Sequence, residues 1–258
     1  MEICRSPLSN TVIEFRNVSL HYPLYHHLTV GLKSFLLNFP KSLRAFRKDR
    51  YTAIRNVSFS IKKGERFGIV GRNGAGKSST LSLIAGVLRP SEGSVQVNGR
   101  ISPFLELGAG FNHDLTGREN IVLNGVLMGL RKATIMSKID KIIEFSELGS
   151  FIDQPIRIYS SGMLARLGFS VVANLDPEIL LIDEVLAVGD TAFSKKCMNK
   201  MMEFKNGETT IVFVSHSMSD VKELCDRALL IEDNMVKVIG DATSIADVYE
   251  KSMTELDT

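Results

Sequence analysis

An α/β fold, in which the sheet is interrupted by a helical insert of roughly 60 residues, is predicted by three observations. Apolar, strand-sized runs at 179–182 and 211–214 alternate with helical patterns. A strand at 66–70 leads straight into a glycine-rich turn and then a periodic helix. From about residue 116 to 176 the pattern is helical, and strand-helix alternation resumes only after it.

Taken in order, alternating apolar patterns predict strands at 12–20, 57–61 and 66–70, with Lys62-Lys63-Gly64-Glu65 as the turn between the last two. A helix should follow Gly76 through SSTLSLIAGVL and end near Arg89-Pro90. VQVNGRI reads as a hairpin about an Asn98-Gly99 turn. Thr116-Gly117-Arg118-Glu119 reads as a capping box that starts the helical insert. Ile135, Met136, Ile139, Ile142 and Ile143 continue it at helical spacing. Then come ILLID, a helix around 191–205, TTIVFVSH, and a short β-rich stretch at ALLIEDNMVKVIG.

Composition sets limits on class. The chain has 258 residues, 44% of them hydrophobic and 23% charged, which is ample for a packed core and unlike a disordered chain. No run of about 18 apolar residues could span a bilayer, and MEICRSPLSN has no signal-peptide core. Three scattered cysteines (Cys4, Cys197, Cys225) offer neither a disulfide framework nor a metal spacing and fit a reducing cytosol. A net charge of +2 gives no support to a nucleic-acid partner. That sum conceals an uneven distribution, because residues 24–50 hold six basic residues against one acidic, a local +5.

The sharpest motif is Gly71-Arg72-Asn73-Gly74-Ala75-Gly76-Lys77-Ser78, followed by Ser79. Glycines let backbone N–H groups wrap an anion, the helix N-terminus adds positive potential, Lys77 reaches β- and γ-phosphates, and Ser78 offers a ligand to Mg²⁺. A second motif, Ile179-Leu180-Leu181-Ile182-Asp183-Glu184, ends a buried strand in a carboxylate 106 residues past Lys77. Asp183 suits Mg²⁺ beside the phosphates, and Glu184 is placed to orient and deprotonate a water. The third, Tyr159-Ser160-Ser161-Gly162-Met163, opens another helix, with Gly162 21 residues before Asp183. A hydroxyl, a glycine N–H and a helix N-terminus can clamp a phosphate.

These motifs in this order resemble the ABC ATPases, whose signature LSGGQ is written here YSSGM. The resemblance covers about residues 12 to 245 and implies a P-loop ABC nucleotide-binding domain with a RecA-like α/β core, an antiparallel β subdomain and a helical subdomain. It implies one domain over 1–245, with the Q-loop region and helical subdomain at about 101–174 and a C-terminal tail over 246–258. By position it makes His216 the switch histidine, Asp190 the dimer-facing aspartate, and Tyr22 the aromatic that stacks on adenine, with Tyr25 and Tyr51 as rivals for that role. No glutamine occurs in 104–111; Glu106 stands nearest to the Q-loop position, either as a contact to Mg²⁺ or water or within a loop that meets a membrane subunit.

YSSGM, EVLAVGD, FLELGAGF and LTGREN are further similar to the ATPase subunits of polysaccharide exporters for O-antigen, teichoic acid and some capsules. That similarity implies an ATP- and Mg²⁺-dependent dimer of two copies, working with two copies of a separate transmembrane subunit at the cytoplasmic face of the inner membrane, on a lipid-linked polysaccharide. Each site would join Lys77, Ser78, Asp183, Glu184 and His216 of one copy to Ser160 and Gly162 of the other. O-antigen is favoured over teichoic acid or capsule. With 17 residues after Asp241, no separate glycan-binding module is expected.

The +5 segment becomes an insertion within the cassette. Leu28, Leu32, Phe35, Leu36, Phe39, Leu43 and Phe46 share a helical stripe that Lys33, Lys41, Arg44, Arg47 and Lys48 lie off, with a break at Pro40. It reads either as a helix packed on the domain or as an interfacial helix near anionic headgroups. Soluble ABC ATPases of DNA or ribosomes fit less well, since Lys77 and Ser160 are 83 residues apart without heptads and each motif occurs once. A P-loop kinase or GTPase lacks YSSGM and His216 at these distances.

Overall fold

A computed structural model describes residues 10–23, 50–104, 110–183 and 190–254. Residues 24–49 of the +5 insertion, which include Tyr25, lie outside the described residues, as do Glu106 and Glu184. Two sheets are formed by these. A three-stranded antiparallel sheet has the order β2-β1-β4, from β1 (Thr11–Pro23), β2 (Arg50–Lys62) and β4 (Glu92–Val97). A six-stranded sheet has the order β5-β6-β7-β3-β8-β9, from β3 (Arg66–Gly71), β5 (Ile101–Phe104), β6 (Ile179–Asp183), β7 (Thr210–Val214), β8 (Arg227–Glu232) and β9 (Met235–Asp241). It is parallel except for the β8–β9 hairpin.

Burial explains which strand goes where. β7 is buried at every position and β6 at all but Asp183, as strands covered on both faces must be. β2 alternates buried and exposed residues along its second half, the pattern of a strand with one wet face. Between the sheets lies α1 (Lys77–Ile84), in a core that includes Phe15, Ile54, Phe67, Leu81 and Val212. On the other face, α5 (Ser161–Asn174), α6 (Thr191–Lys205), α7 (Met218–Leu224) and α8 (Ala242–Thr254) pack around Phe169, Phe193, Phe213 and Leu230. A third core joins α5 to a helical unit of α2 (Gly117–Leu127), α3 (Lys132–Met136), α4 (Ile139–Ser146) and the 3-10 turns Gly149–Asp153 and Ile156–Ile158. This is the RecA-like core, antiparallel β subdomain and helical subdomain expected from the resemblance.

Several expectations need correction. VQVNGRI is not a hairpin, because β4 pairs with β1 while β5 pairs in parallel with β6, 78 residues on. Asn98-Gly99 therefore carries the chain from one sheet to the other, with Gly99 at φ 138°. The apolar run at 135–143 divides into α3 and α4, burying Ile135, Ile139 and Ile142 while Met136 stays exposed. α1 stops at Ile84 rather than near Arg89-Pro90. α8 runs across residue 245 and buries Ala242, Ile245, Ala246 and Tyr249 against the core.

Candidate functional site

Strand register sets where the chemistry collects. Asp183 of β6 pairs with Val214 of β7, and Val214 pairs with Ile69 of β3. The chain leaving β3 as the glycine loop and the chain leaving β7 toward His216 thus emerge at the same sheet edge as Asp183. Ligands of α/β sheets bind at this carboxyl edge.

The loop is shaped by its neighbours. Gly76 caps α1 at φ 106°, and a Cβ there would stand 2.4 Å from the Ala53 carbonyl oxygen. Only glycine tolerates both the left-handed backbone and that approach. Lys77 is buried, and its Nζ donates to the carbonyls of Gly71 at 2.7 Å and Arg72 at 3.0 Å, so the amine curls the loop around itself. Gly71 is buried, Asn73, Gly74 and Ser78 are exposed, and Ser79 is half-buried. With its N–H groups at a helix N-terminus and a lysine amine inside, the loop fits a polyphosphate.

A cleft of about 660 Å³ opens beside the loop, lined by Arg72, Asn73, His216, Met218, Tyr249, Glu250 and Met253. His216 is exposed on it. The contribution of α8 through Tyr249, Glu250 and Met253 was not foreseen, and no short sequence pattern announces it. Asp183 is half-buried at the end of β6. Exposed Ser78 and half-buried Asp183 offer hard oxygen donors of the kind Mg²⁺ takes alongside phosphate oxygens and water. Among the described residues no group of three or more His, Cys, Asp or Glu side chains is placed to hold a metal ion.

On the antiparallel sheet, Tyr22 of β1 pairs across strands with Tyr51 of β2, their rings 6.5 Å apart and nearly parallel. Both are partly exposed, and the Tyr51 hydroxyl donates to the Gly74 carbonyl at 3.3 Å. Of the two, Tyr51 is the one tied to the phosphate loop. The expectation for Tyr22 thus becomes a stacked pair.

Ser160 and Gly162 are elsewhere. Ser160 caps α5, its hydroxyl accepting from the Met163 N–H at 3.2 Å, and is exposed. A Cβ on Gly162 would meet nothing closer than Ser160 Oγ at 3.9 Å, so this helix terminus is open to an approaching group. Neither residue lines the cleft of its own chain. Asp190 caps α6, accepting from the Phe193 N–H at 2.9 Å and from Arg166 at 2.7 Å. The Phe193 N–H first, with Arg166 beside it, holds its carboxyl below the ordinary 3.8.

The chain is similar to known proteins. A family model described as ABC transporter matches residues 54–187. The chain is 51% identical over 94% of its length to the O-antigen export system ATP-binding protein RfbB of Klebsiella pneumoniae, covering 98% of that protein. It is 42% identical over 94% of its length to the teichoic acids export ATP-binding protein TagH of Bacillus anthracis, of which it covers 43%. Among solved structures, the ATP-binding cassette MJ0796, a dimer in a post-hydrolysis state bound to ADP and Pi, matches with a TM-score of 0.69 at 19% identity, over 89% of this chain and 98% of that one.

Proposed function

Because the chain belongs to the ABC transporter family, as one of its nucleotide-binding ATPases, we propose that it powers export of a lipid-linked O-antigen polysaccharide. In this reading it sits at the cytoplasmic face of the inner membrane against two copies of a separate transmembrane subunit. Among the described residues no helix is long and apolar enough to cross a membrane, which fits a pore supplied by a partner. The likeness to RfbB over nearly the whole of that protein favours O-antigen. The relative named for teichoic acids is matched over less than half its length, which leaves that polymer as the second reading.

The observation that carries the mechanism is a division of labour. The phosphate loop, Asp183 and His216 gather at one sheet edge, while Ser160 and Gly162 face outward on the helical unit. A second copy facing the first would bring its α5 terminus onto the γ-phosphate, giving two ATP molecules between two chains. Lys77 would exchange its loop carbonyls for the β- and γ-phosphates, and Asn73, Gly74, Gly76 and Ser79 would surround the anion. Tyr22 and Tyr51 would carry the adenine. Ser78 and Asp183, with Glu106 as a further candidate, would hold Mg²⁺, which supplies neutralisation of phosphate charge. Glu184 would orient and deprotonate the attacking water, and His216 would contact the γ-phosphate. Catalysis would then rest on positioning and charge stabilisation.

The experiment is Glu184→Gln in the full chain. Retained ATP binding, lost hydrolysis and an ATP-dependent dimer on size exclusion support the reading; near-normal turnover removes Glu184 from its role. In cells, deletion of the chain should leave lipid-linked O-antigen on the cytoplasmic side, and unchanged export would refute the transport reading.

A further inference from the structure

Four charged side chains from three segments meet away from the phosphate loop. Arg166 of α5 donates from one guanidinium nitrogen to Glu147 at 3.1 Å and from the other to Asp190 at 2.7 Å, with its carbon 4.7 Å from the centre of the Phe193 ring. Lys196 of α6 donates to the second oxygen of Glu147 at 2.7 Å and to the Phe145 carbonyl at 3.0 Å. Phe145, Phe169 and Phe193 form a mutual ring cluster beneath these charges, with centroids 5.9 to 6.3 Å apart.

Glu147 is the unusual member. It ends α4 in the left-handed region, at φ 55° and ψ 28°. Glycine is the ordinary occupant of that position, because any Cβ there is strained. A glutamate persists where its side chain does something a glycine cannot. Here its carboxylate is shared between the signature-bearing helix and α6, and the Lys196 contact first, then Arg166, holds it below the ordinary 4.5.

We infer that Glu147 is a positioning residue, which through Arg166 and Lys196 locks the helix carrying Ser160 and Gly162 in register with Asp190 and α6. The inference rests on the proposed function and deepens it. In that reading α5 presents Ser160 to the ATP of the facing copy, and the two-armed guanidinium holds this helix terminus at a fixed place relative to Asp190, the cap of α6. Arg suits this task and Lys does not, since one planar fork must bridge two carboxylates.

The test is steady-state ATPase kinetics and thermal melting of the full chain with Glu147→Gly, Arg166→Lys, Arg166→Ala and the double variant Glu147→Gly/Arg166→Ala. Glycine relieves the left-handed strain, so Glu147→Gly should melt close to the wild type yet lose roughly tenfold in kcat, with KM for ATP changed less than about twofold. Arg166→Lys should lose as much, and the double variant no more than Arg166→Ala alone, as expected of residues acting through one network. Wild-type kinetics for Glu147→Gly, a kcat loss matched by a drop in melting temperature, or strictly additive losses in the double variant would each overturn the inference. A Lys77→Ala control separates the two readings. Wild-type hydrolysis that does not depend on Lys77 overturns the proposed function, whereas Lys77-dependent hydrolysis unaffected by Glu147→Gly overturns only the role of Glu147.

Discussion

Tyr159 and Gly117 occupy one another's space. The Tyr159 hydroxyl donates to the Phe151 carbonyl at 2.5 Å, and a Cβ on Gly117 would stand 2.5 Å from the Tyr159 hydroxyl oxygen. Burial pushes the phenol above its ordinary 10.0, with Asp153 adding to the rise, so it remains a donor. Tyrosine in YSSGM and glycine in LTGREN are thus two halves of one contact, which seats the signature loop against the start of α2.

Gly117→Ala should therefore destabilise the chain by about 1–3 kcal/mol through overpacking. Tyr159→Phe alone should cost about 1 kcal/mol for the lost hydrogen bond. Because removing the hydroxyl also vacates the space, the double variant should lose less than the sum of the two. Denaturant melts of all three variants measure this, and strict additivity would separate the residues.

Lys77 spends its amine on the Gly71 and Arg72 carbonyls. Lys77→Ala removes both this internal tie and the charge for the phosphates, so hydrolysis should fall by roughly 10²–10³ or more. Lys77→Arg should not rescue it, since a guanidinium is too large for a buried site shaped around an ammonium. Phosphate release by the purified variants checks both.

Acid should loosen the helical unit. Glu119 is held below the ordinary 4.5 by the Thr116 N–H, then by its hydroxyl, and Asp153 below 3.8 by Arg118. A carboxylate whose folded pKa is depressed contributes stability that is full above its unfolded value and is lost as pH falls through the folded one. Melting temperature should decline below about pH 5, and Glu119→Gln with Asp153→Asn should flatten that decline. An unchanged slope in the double variant would place the acid sensitivity elsewhere.

The two buried thiols should be inert. Burial pushes Cys197 and Cys225 up to about 12. At pH 8 a thiolate-directed alkylating reagent should leave both unmodified in the native chain and label both in denaturant, as read by peptide mass spectrometry. Native labelling of Cys225 would mean that the α7–β8 junction opens.

The features legible in the sequence are those whose cause is local. A glycine loop between a buried strand and a helix, Thr116 with Glu119 three residues on, and an apolar strand ending in Asp183 each carry their physical reason within a few residues. Asn98-Gly99 misled because a hairpin signal is local, whereas the choice of partner for β5 depends on β6, 78 residues away. Tyr51 gained its importance from cross-strand register with Tyr22. The bridge from Arg166 to Glu147 and Asp190, and the reach of Tyr249 and Glu250 to the cleft, depend on how helices pack on the sheet. No spacing within one segment encodes them.

In the proposed mechanism one ATP site needs two chains, the phosphate loop of one and the Ser160–Gly162 terminus of the other. Mixing two variants, Lys77→Ala and Gly162→Asp, each expected to be inactive alone, tests this. A mixed dimer of the two retains one site in which an intact loop faces an intact helix terminus. The account predicts ATP-dependent dimerisation and partial recovery of hydrolysis in that mixture, and none when a Lys77→Ala/Gly162→Asp chain is paired with itself. A mixture no more active than its components, or Gly162→Asp alone hydrolysing ATP at the wild-type rate, would contradict it.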